Sequence, residues 1–369
     1  MTPEVIEADG VRLRQFRPAD VADLAAGCGD PVNLRFNPGM PQPYTEADAR
    51  WWITEGAPAA WATGGAAYAI ADRTTDRLVG GAGIGQVVPP RRQAEVGYWV
   101  APWARRRGIA SAATRALADS ALRHGLDRLE LMTHAENPAS QRVALAAGFT
   151  HEGVRRSAGQ LRGGGRTDLL AWVRLADDPP GPTSRLLPDL PDGRLTDGVV
   201  TLRRLGPDDV DVMYRLHTRP EVVANQAPPV PPTRAAVERR CLLAESAWLT
   251  GSIARLLIVD AVTGEPAGSC GLSLSDPAAG EGSVGYALLP DQRGRGLATR
   301  AVRLLAGWAF GPAGIARLVA GTVPDNTASH GVLERVGFRR EGLLLGRLPG
   351  LAGSRIDDLL FGLLPDELR

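Results

Sequence analysis

Tyr98-Trp99-Val100-Ala101-Pro102-Trp103-Ala104-Arg105-Arg106-Arg107-Gly108-Ile109-Ala110 reads as a strand stopped by a proline, a short loop, and a helix that opens at a glycine. The first backbone N–H groups of such a helix have no intrahelical partner and point outward beside the positive dipole end. That arrangement suits an anion such as a pyrophosphate. Gly108 and Ala110 are small enough for close approach to the backbone, and Arg105, Arg106 and Arg107 add positive charge. An ordinary glycine- and arginine-rich turn before a helix would look similar, since short glycine motifs are individually weak.

The motif occurs twice. Arg293-Gly294-Arg295-Gly296-Leu297-Ala298 repeats it 188 residues later, and Val96-Gly97-Tyr98 returns as Val284-Gly285-Tyr286 at the same offset. Val11-Arg12-Leu13-Arg14 matches Val200-Thr201-Leu202-Arg203, and Asn137-x-x-Ser140 matches Asn326-x-x-Ser329, both at 189. Gly148-Phe149 pairs with Gly337-Phe338, Glu152-Gly153 with Glu341-Gly342, and Arg166-x-Asp168 with Arg355-x-Asp357. One gap opens and closes while the order holds, so the chain is a tandem duplication. The proline-rich run from Asp177 to Pro191 favours an extended spacer. The expected organisation is a first domain over 1–176, a linker over 177–195 and a second domain over 196–369.

Each half alternates periodicities. Val11–Phe16, Ala67–Ala71, Leu78–Ile84, Glu95–Val100, Leu129–Thr133 and Leu169–Leu175 read as strands. Gly108–Leu122 and Ala139–Ala146 read as helices. The second half repeats this with strands over Val199–Leu202, Ala254–Val259, Ser269–Leu274, Ser283–Leu289, Leu318–Thr322 and Leu359–Leu364, and a helix over Leu297–Ala309. The fold class is α/β, with strands and helices layered in each half.

Composition closes several doors. The 369 residues carry 42 basic against 41 acidic groups, a balance with no electrostatic pull toward nucleic acid or an anionic membrane. No apolar run reaches the roughly 18 residues of a membrane span. The opening Met1–Val5 lacks the basic and apolar parts of a signal peptide, so a soluble, cytoplasmic protein is expected. Cys28, Cys241 and Cys270 are far apart and the five histidines are scattered, which predicts neither disulfides nor a metal. Every basic residue is arginine, which excludes a Schiff-base lysine and a P-loop lysine. Gly80–Gly85 lacks the dinucleotide spacing.

Taken together, the loop after the V-G-Y strand resembles the acyl-CoA-binding motif of the GNAT N-acetyltransferase superfamily. Asn-x-x-Ser followed by Gly-Phe-x-x-Glu-Gly is similar to its RimJ/RimL-like branch, which includes ribosomal-protein N-terminal acetyltransferases. The resemblance covers nearly all of each half. It implies two GNAT-like domains, each a mixed, mostly antiparallel sheet flanked by helices, using acetyl-CoA as acyl donor and no metal. The pyrophosphate loop would fall on Arg105, Arg106, Arg107, Gly108, Ile109 and Ala110, and again on Arg293, Gly294, Arg295, Gly296, Leu297 and Ala298. Val100 and Leu288 would pair through their backbones with the pantetheine arm. Asn137, Ser140, Asn326 and Ser329 would lie beside the thioester, with serine protonating the departing thiolate. Glu95 matches a glutamate that, through water, accepts the proton of the attacking amine.

Position 283 carries Ser instead, and Glu281 lies about 7 Å along the strand. The first half is therefore expected to be the fuller catalyst, acetylating a primary amine on a small molecule or a protein N-terminus. An active half joined to a degenerate one, and a non-catalytic acyl-CoA sensor, are the alternatives. The chain would be a monomeric pseudo-dimer or a homodimer. Other polar residues have plainer readings: His134 and Glu136 in a strand-end loop, with assistance to proton transfer as the alternative, His330 on a helix surface, and Asp168 and Asp357 paired with arginine or facing the acceptor. Trp51, Trp52 and Trp61 fall in the segment that shapes the acceptor pocket in similar proteins.

Overall fold

The computed structural model describes residues 3–369, which divide into two compact units meeting between Ser184 and Arg185. The first unit runs β1 (Ile6–Ala8), β2 (Val11–Arg14), α1 (Val21–Cys28), α2 (Pro31–Phe36), α3 (Glu46–Trp51), α4 (Ala57–Ala62), β3 (Ala66–Asp72), β4 (Leu78–Val88) and β5 (Gln93–Val100). It continues with α5 (Ile109–Arg123), β6 (Arg128–His134), α6 (Pro138–Ala146), β7 (Thr150–Gln160) and β8 (Arg166–Leu175). The strands form one sheet in the order β1-β2-β3-β4-β5-β6-β8-β7, antiparallel except for β5 and β6.

That exception makes the site. A parallel neighbour requires a crossover connection, and α5 supplies it. The two strands pair only at Gln93–Glu95 against Arg128–Glu130, and no further pairs follow. Beyond Glu95 they part, so the C-terminal half of β5 borders a wedge rather than a neighbour. The helix that bridges them is built for contact: Ile109, Ala113, Leu117 and Ala121 recur at four-residue spacing and are all buried. Its start is fixed by Gly108 at φ +76°, a left-handed conformation in which a side chain is strained.

The second unit repeats the plan. Its strands are β9 (Arg194–Thr196), β10 (Val200–Arg204), β11 (Ile253–Asp260), β12 (Pro266–Asp276), β13 (Glu281–Leu288), β14 (Arg317–Thr322), β15 (Arg339–Pro349) and β16 (Arg355–Leu363). Its helices are α7 (Val210–His217), α8 (Pro220–Val223), α9 (Arg234–Leu242), α10 (Ala244–Leu249), α11 (Leu297–Phe310) and α12 (Thr327–Val336). The sheet order is β15-β16-β14-β13-β12-β11-β10-β9, and β13 and β14 pair in parallel only at Glu281–Ser283 against Arg317–Val319. One face, with Val200, Leu256, Leu318 and Phe361, packs under α11, while Leu257 and Leu289 pack under α7 and α9.

Four strands escaped the periodicity reading: β1 and β9, each only three residues long, and β7 and β15. In β7 and β15 nearly every side chain is exposed, so no alternation of apolar residues marks them. They are held by pairing with β8 and β16. The proline-rich stretch is also more attached than a free spacer: Thr183 donates its N–H to Leu145 O, whereas Leu187 and Leu190 are buried in the second unit's core. Both units pin the turn before their first long helix with an ion pair. Arg14 grips Asp20 through two bonds of 2.8 and 2.9 Å, and Arg203 grips Asp209 in the same way.

Candidate active site

In the first unit the wedge is a cleft of about 1140 Å³. Its walls bring together Glu95, Val100, Gly108, Ile109 and Ala110 with Asn137 and Ser140, residues spread over 46 positions. Arg105 and Arg106 also line it; Arg107 does not. In the second unit a cleft of about 1570 Å³ gathers Leu288, Arg293, Gly294, Gly296, Leu297 and Ala298 with Asn326 and Ser329, and here Arg295 stands outside.

The loop glycines are open toward these clefts. A β-carbon built at Gly108 or at Gly296 would meet nothing within 4 Å, so the space before each helix start is free for a ligand group. With the outward N–H groups, that fits a phosphate-bearing donor at both loops. The arginines contribute differently from what their sequence suggests. Arg105 is ion-paired with Asp30, and Arg107 holds Asp72 at 3.0 Å. Burial alone would push Asp30 up, but Arg105 and the amides of Asn33 and Val32 hold its carboxyl below the usual range. Arg295 repeats the second of these contacts with Asp260. Arg107 and Arg295 are therefore braces of the loop rather than ligands pointing into it.

Glu95 sits on β5 with its side chain toward the α1–α4 face, the same face as Trp99, which packs against Leu24 and Ala49. It forms no hydrogen bond or ion pair among the described residues. Its neighbour across the seam is Glu130, which Arg128 and Arg155 hold at 3.0 and 2.7 Å. Burial raises the Glu95 pKa and the Glu130 charge raises it further, with Arg155 pulling the other way. A half-buried, unpartnered carboxylate with a raised pKa is the pattern of a proton acceptor.

Tyr98 leaves the opposite face of the same strand, and its Oη lies 2.7 Å from Ser140 Oγ. Burial pushes the phenol well above its ordinary pKa, so it stays protonated. This tyrosine was visible in the V-G-Y motif, yet its link to Ser140, 42 residues away, was not. In the second unit Tyr286 Oη donates to Ser329 O at 3.1 Å, and burial pushes its pKa up to about 12. Asn137 and Asn326 act as helix caps. The side-chain oxygen of each accepts the N–H of the serine three residues on, at 3.2 Å. By starting α6 and α12 in this way they place Ser140 and Ser329.

Several side readings change. His330 is not on the helix surface; it is buried, bonded to Thr322 Oγ1 at 2.9 Å and packed on Phe361. Asp168 and Asp357 accept the N–H of Ser157 and Gly346 at 2.8 and 2.7 Å, and neither forms an ion pair with an arginine among the described residues. Glu136 is ion-paired with Arg35, and burial lowers the His134 pKa. Trp52 joins the core under α1, Trp61 packs on Tyr68, and Trp51 is 60% exposed. Glu281, which also lines the second cleft, is held by Arg317 at 2.8 Å. No cluster of three metal-ligating side chains occurs among the described residues, and none of their helices is long and apolar enough to cross a membrane.

The family model described as an acetyltransferase (GNAT) domain matches residues 11–150 and again 200–339. The chain belongs to the GNAT acetyltransferases. An uncharacterized N-acetyltransferase, p20 of Bacillus licheniformis, is 31% identical over 170 residues, spanning 46% of this chain and 94% of that protein. The ribosomal-protein-serine acetyltransferase of Escherichia coli is 31% identical over 103 residues, 28% of this chain and 57% of that one. Among solved structures, Mycobacterium smegmatis RimJ in complex with CoA-disulfide is 25% identical, with 47% of this chain and 86% of that chain covered and a TM-score of 0.42. Each of these relatives corresponds to less than half of the present chain, which carries the GNAT domain twice.

Proposed function

We propose that this protein transfers the acetyl group of acetyl-CoA directly to a primary amine, with the first GNAT domain holding the full acid–base set. The observation that carries this is Glu95: an unpartnered carboxylate facing the same cleft as the open Gly108 loop and the Tyr98–Ser140 pair. Bound acetyl-CoA supplies the activated acyl carbonyl; the residues of the chain do the rest. The N–H groups at the α5 start and the open space at Gly108 receive the phosphates. The wedge-side flank of β5 at Val100, whose carbonyl accepts Asn33 Nδ2 at 3.2 Å, offers backbone groups to an extended arm.

Glu95 takes one proton from the incoming ammonium, leaving a neutral amine on the α1–α4 face. As the C–N bond forms and the C–S bond breaks, the second nitrogen proton passes to sulfur through the Ser140 hydroxyl, which both accepts and donates. Tyr98 orients that hydroxyl and lies roughly 10 Å along the strand from Glu95, on its other face. Base and thiol-side donor therefore approach the carbonyl from opposite sides. The ammonium's charge ends as one proton on Glu95, released to water. The acceptor is a primary amine, on a small molecule or at a protein N-terminus.

Calorimetric titration of acetyl-CoA into the full chain tests the donor sites. We expect two equivalents in the unsubstituted protein and the loss of one in each of Gly108→Glu and Gly296→Glu. Those substitutions place bulk and negative charge where the phosphates sit, at a backbone that already disfavours a side chain. Absence of binding in the unsubstituted protein would refute the assignment.

A further inference from the structure

Position by position, the two clefts differ in where they keep a carboxylate. In the first, β5 carries Glu95, and the far wall at Met132 and Leu169 is apolar. In the second, the residue equivalent to Glu95 is Ser283, while the residues equivalent to Met132 and Leu169 are Gly321 and Asp358. The last two changes fit one another. A β-carbon at residue 321 would come 2.5 Å from Asp358 Oδ1, so the glycine vacates the space that the carboxylate fills.

Asp358 is 2% exposed, and its Oδ1 has no hydrogen-bond partner. Oδ2 is engaged by Arg347 Nη1 at 3.0 Å, from an arginine whose side chain is 53% exposed. Burial raises the Asp358 pKa, against the opposing pull of Arg347 and of the nearby Thr322 amide. A buried carboxylate oxygen left without a donor is costly. Asp358 is among the residues lining the cleft that also holds Ser329 and the Gly296 loop. Alternation places it on the sheet face of Ser283, since Gly321 pairs with Leu360 and Val319 lies beside Ser283. That is the face equivalent to the one from which Glu95 projects.

We infer that the second domain has an acceptor-amine site of its own at Asp358, whose carboxylate takes the ammonium's proton in the role that Glu95 has in the first. The inference rests on the transferase reading above and extends it to the second cleft. The balance is the same. One ammonium proton goes to Asp358, the C–N bond forms as the C–S bond breaks, and the second proton reaches sulfur by way of the cleft hydroxyls. The carboxylate sits on β16, one strand beyond the β14 that faces the wedge, not on the strand that carries the V-G-Y segment. The two domains therefore present their acceptors from different sides and select different amines.

The test uses the full chain with its first loop closed by Gly108→Glu, so that only the second cleft turns over. Release of CoA thiol is followed with two probes, tyramine and the tripeptide Ala-Ala-Ala. We expect release with at least one probe, and a loss of about 100-fold or more on adding Asp358→Asn, the scale of a removed general base. Asp358→Leu, which installs the first domain's residue among Leu344, Leu348 and Leu360, should lose release equally while raising Tm, because it removes an unpartnered buried oxygen. No release with either probe from the Gly108→Glu chain, a loss under about threefold, or a lower Tm in Asp358→Leu would each overturn the proposal. Acetyl-CoA calorimetry separates the two failures: a second cleft that binds donor but ignores Asp358 sinks this inference alone.

Discussion

In a chain whose second loop is closed by Gly296→Glu, Glu95→Gln should lower kcat/KM by about 10²–10⁴-fold, the usual contribution of a positioned general base. Glutamine keeps the shape and loses only the ability to accept a proton, so acetyl-CoA affinity should be unchanged. The pH profile supplies a second signature. Burial and the neighbouring Glu130 hold the Glu95 pKa above that of an ordinary glutamate, so its acidic limb should lie above the normal carboxylate range. In Glu95→Gln that limb should vanish. Stability moves the opposite way from activity. A carboxyl whose folded pKa is raised loses stability as pH climbs from its unfolded to its folded value, because the native state binds the extra proton. Above that raised pKa the ionised Glu95 is therefore a burden, and Glu95→Gln should raise Tm while it removes turnover. Loss of activity with a lowered Tm would instead mark a structural residue.

The largest stability effect is expected at Asp20. Its carboxylate is 4% exposed and receives both Arg14 Nη1 and Nη2, and Arg14 is 2% exposed. Removing one partner of a buried pair leaves an uncompensated charge, at a cost of about 3–5 kcal/mol. Asp76, which accepts Arg14 Nε at 3.1 Å, remains as a second partner and places Asp20→Ala near about 3 kcal/mol, the lower end of that scale. For a domain of this size the unfolding midpoint should fall by roughly 10 °C. Asp209→Ala, the equivalent change, should cost less. Its partner Arg203 has a 44% exposed side chain and can turn toward water once released. Equal losses at the two sites would show that burial does not set the difference. Scanning calorimetry on the full chain measures both.

The duplication was the most legible feature, because each motif, weak alone, recurs in order at nearly constant offset. Loop, bridging helix and capping asparagine are local in sequence, and their geometry followed from it: Gly108 and Gly296 both adopt positive φ, and Asn137 and Asn326 both cap. What escaped is long-range. The carboxylates that engage Arg105 and Arg107 lie 75 and 35 residues upstream, and nothing in their own surroundings announces a loop arginine. Strands β7 and β15 show no apolar alternation because they lie exposed outside β8 and β16. His330 was read as a surface residue because the first half has Gln141 in its place, but the helix face it occupies meets β14 and β16. Asp358 could be read only as part of the Arg-x-Asp-Asp run; its meaning needs the glycine at 321, brought beside it by the sheet.

The three-residue seam between β5 and β6 has a consequence for how the molecule meets other polypeptides. A strand flank without a neighbour is a template for pairing, and proteins blunt such edges at the margins of their sheets with charge, proline or bulges. Here each sheet has, besides its two outer margins, an inner margin on the strand that leaves its parallel partner. That margin carries no lysine, proline or bulge until Pro102, and in the second unit until Pro290. Its protection is architectural: the diverging partner strand stands opposite it, so an arriving chain must be thin enough to enter the wedge. The fold can thus keep a strand in a permanently receptive state without making that strand a site for aggregation.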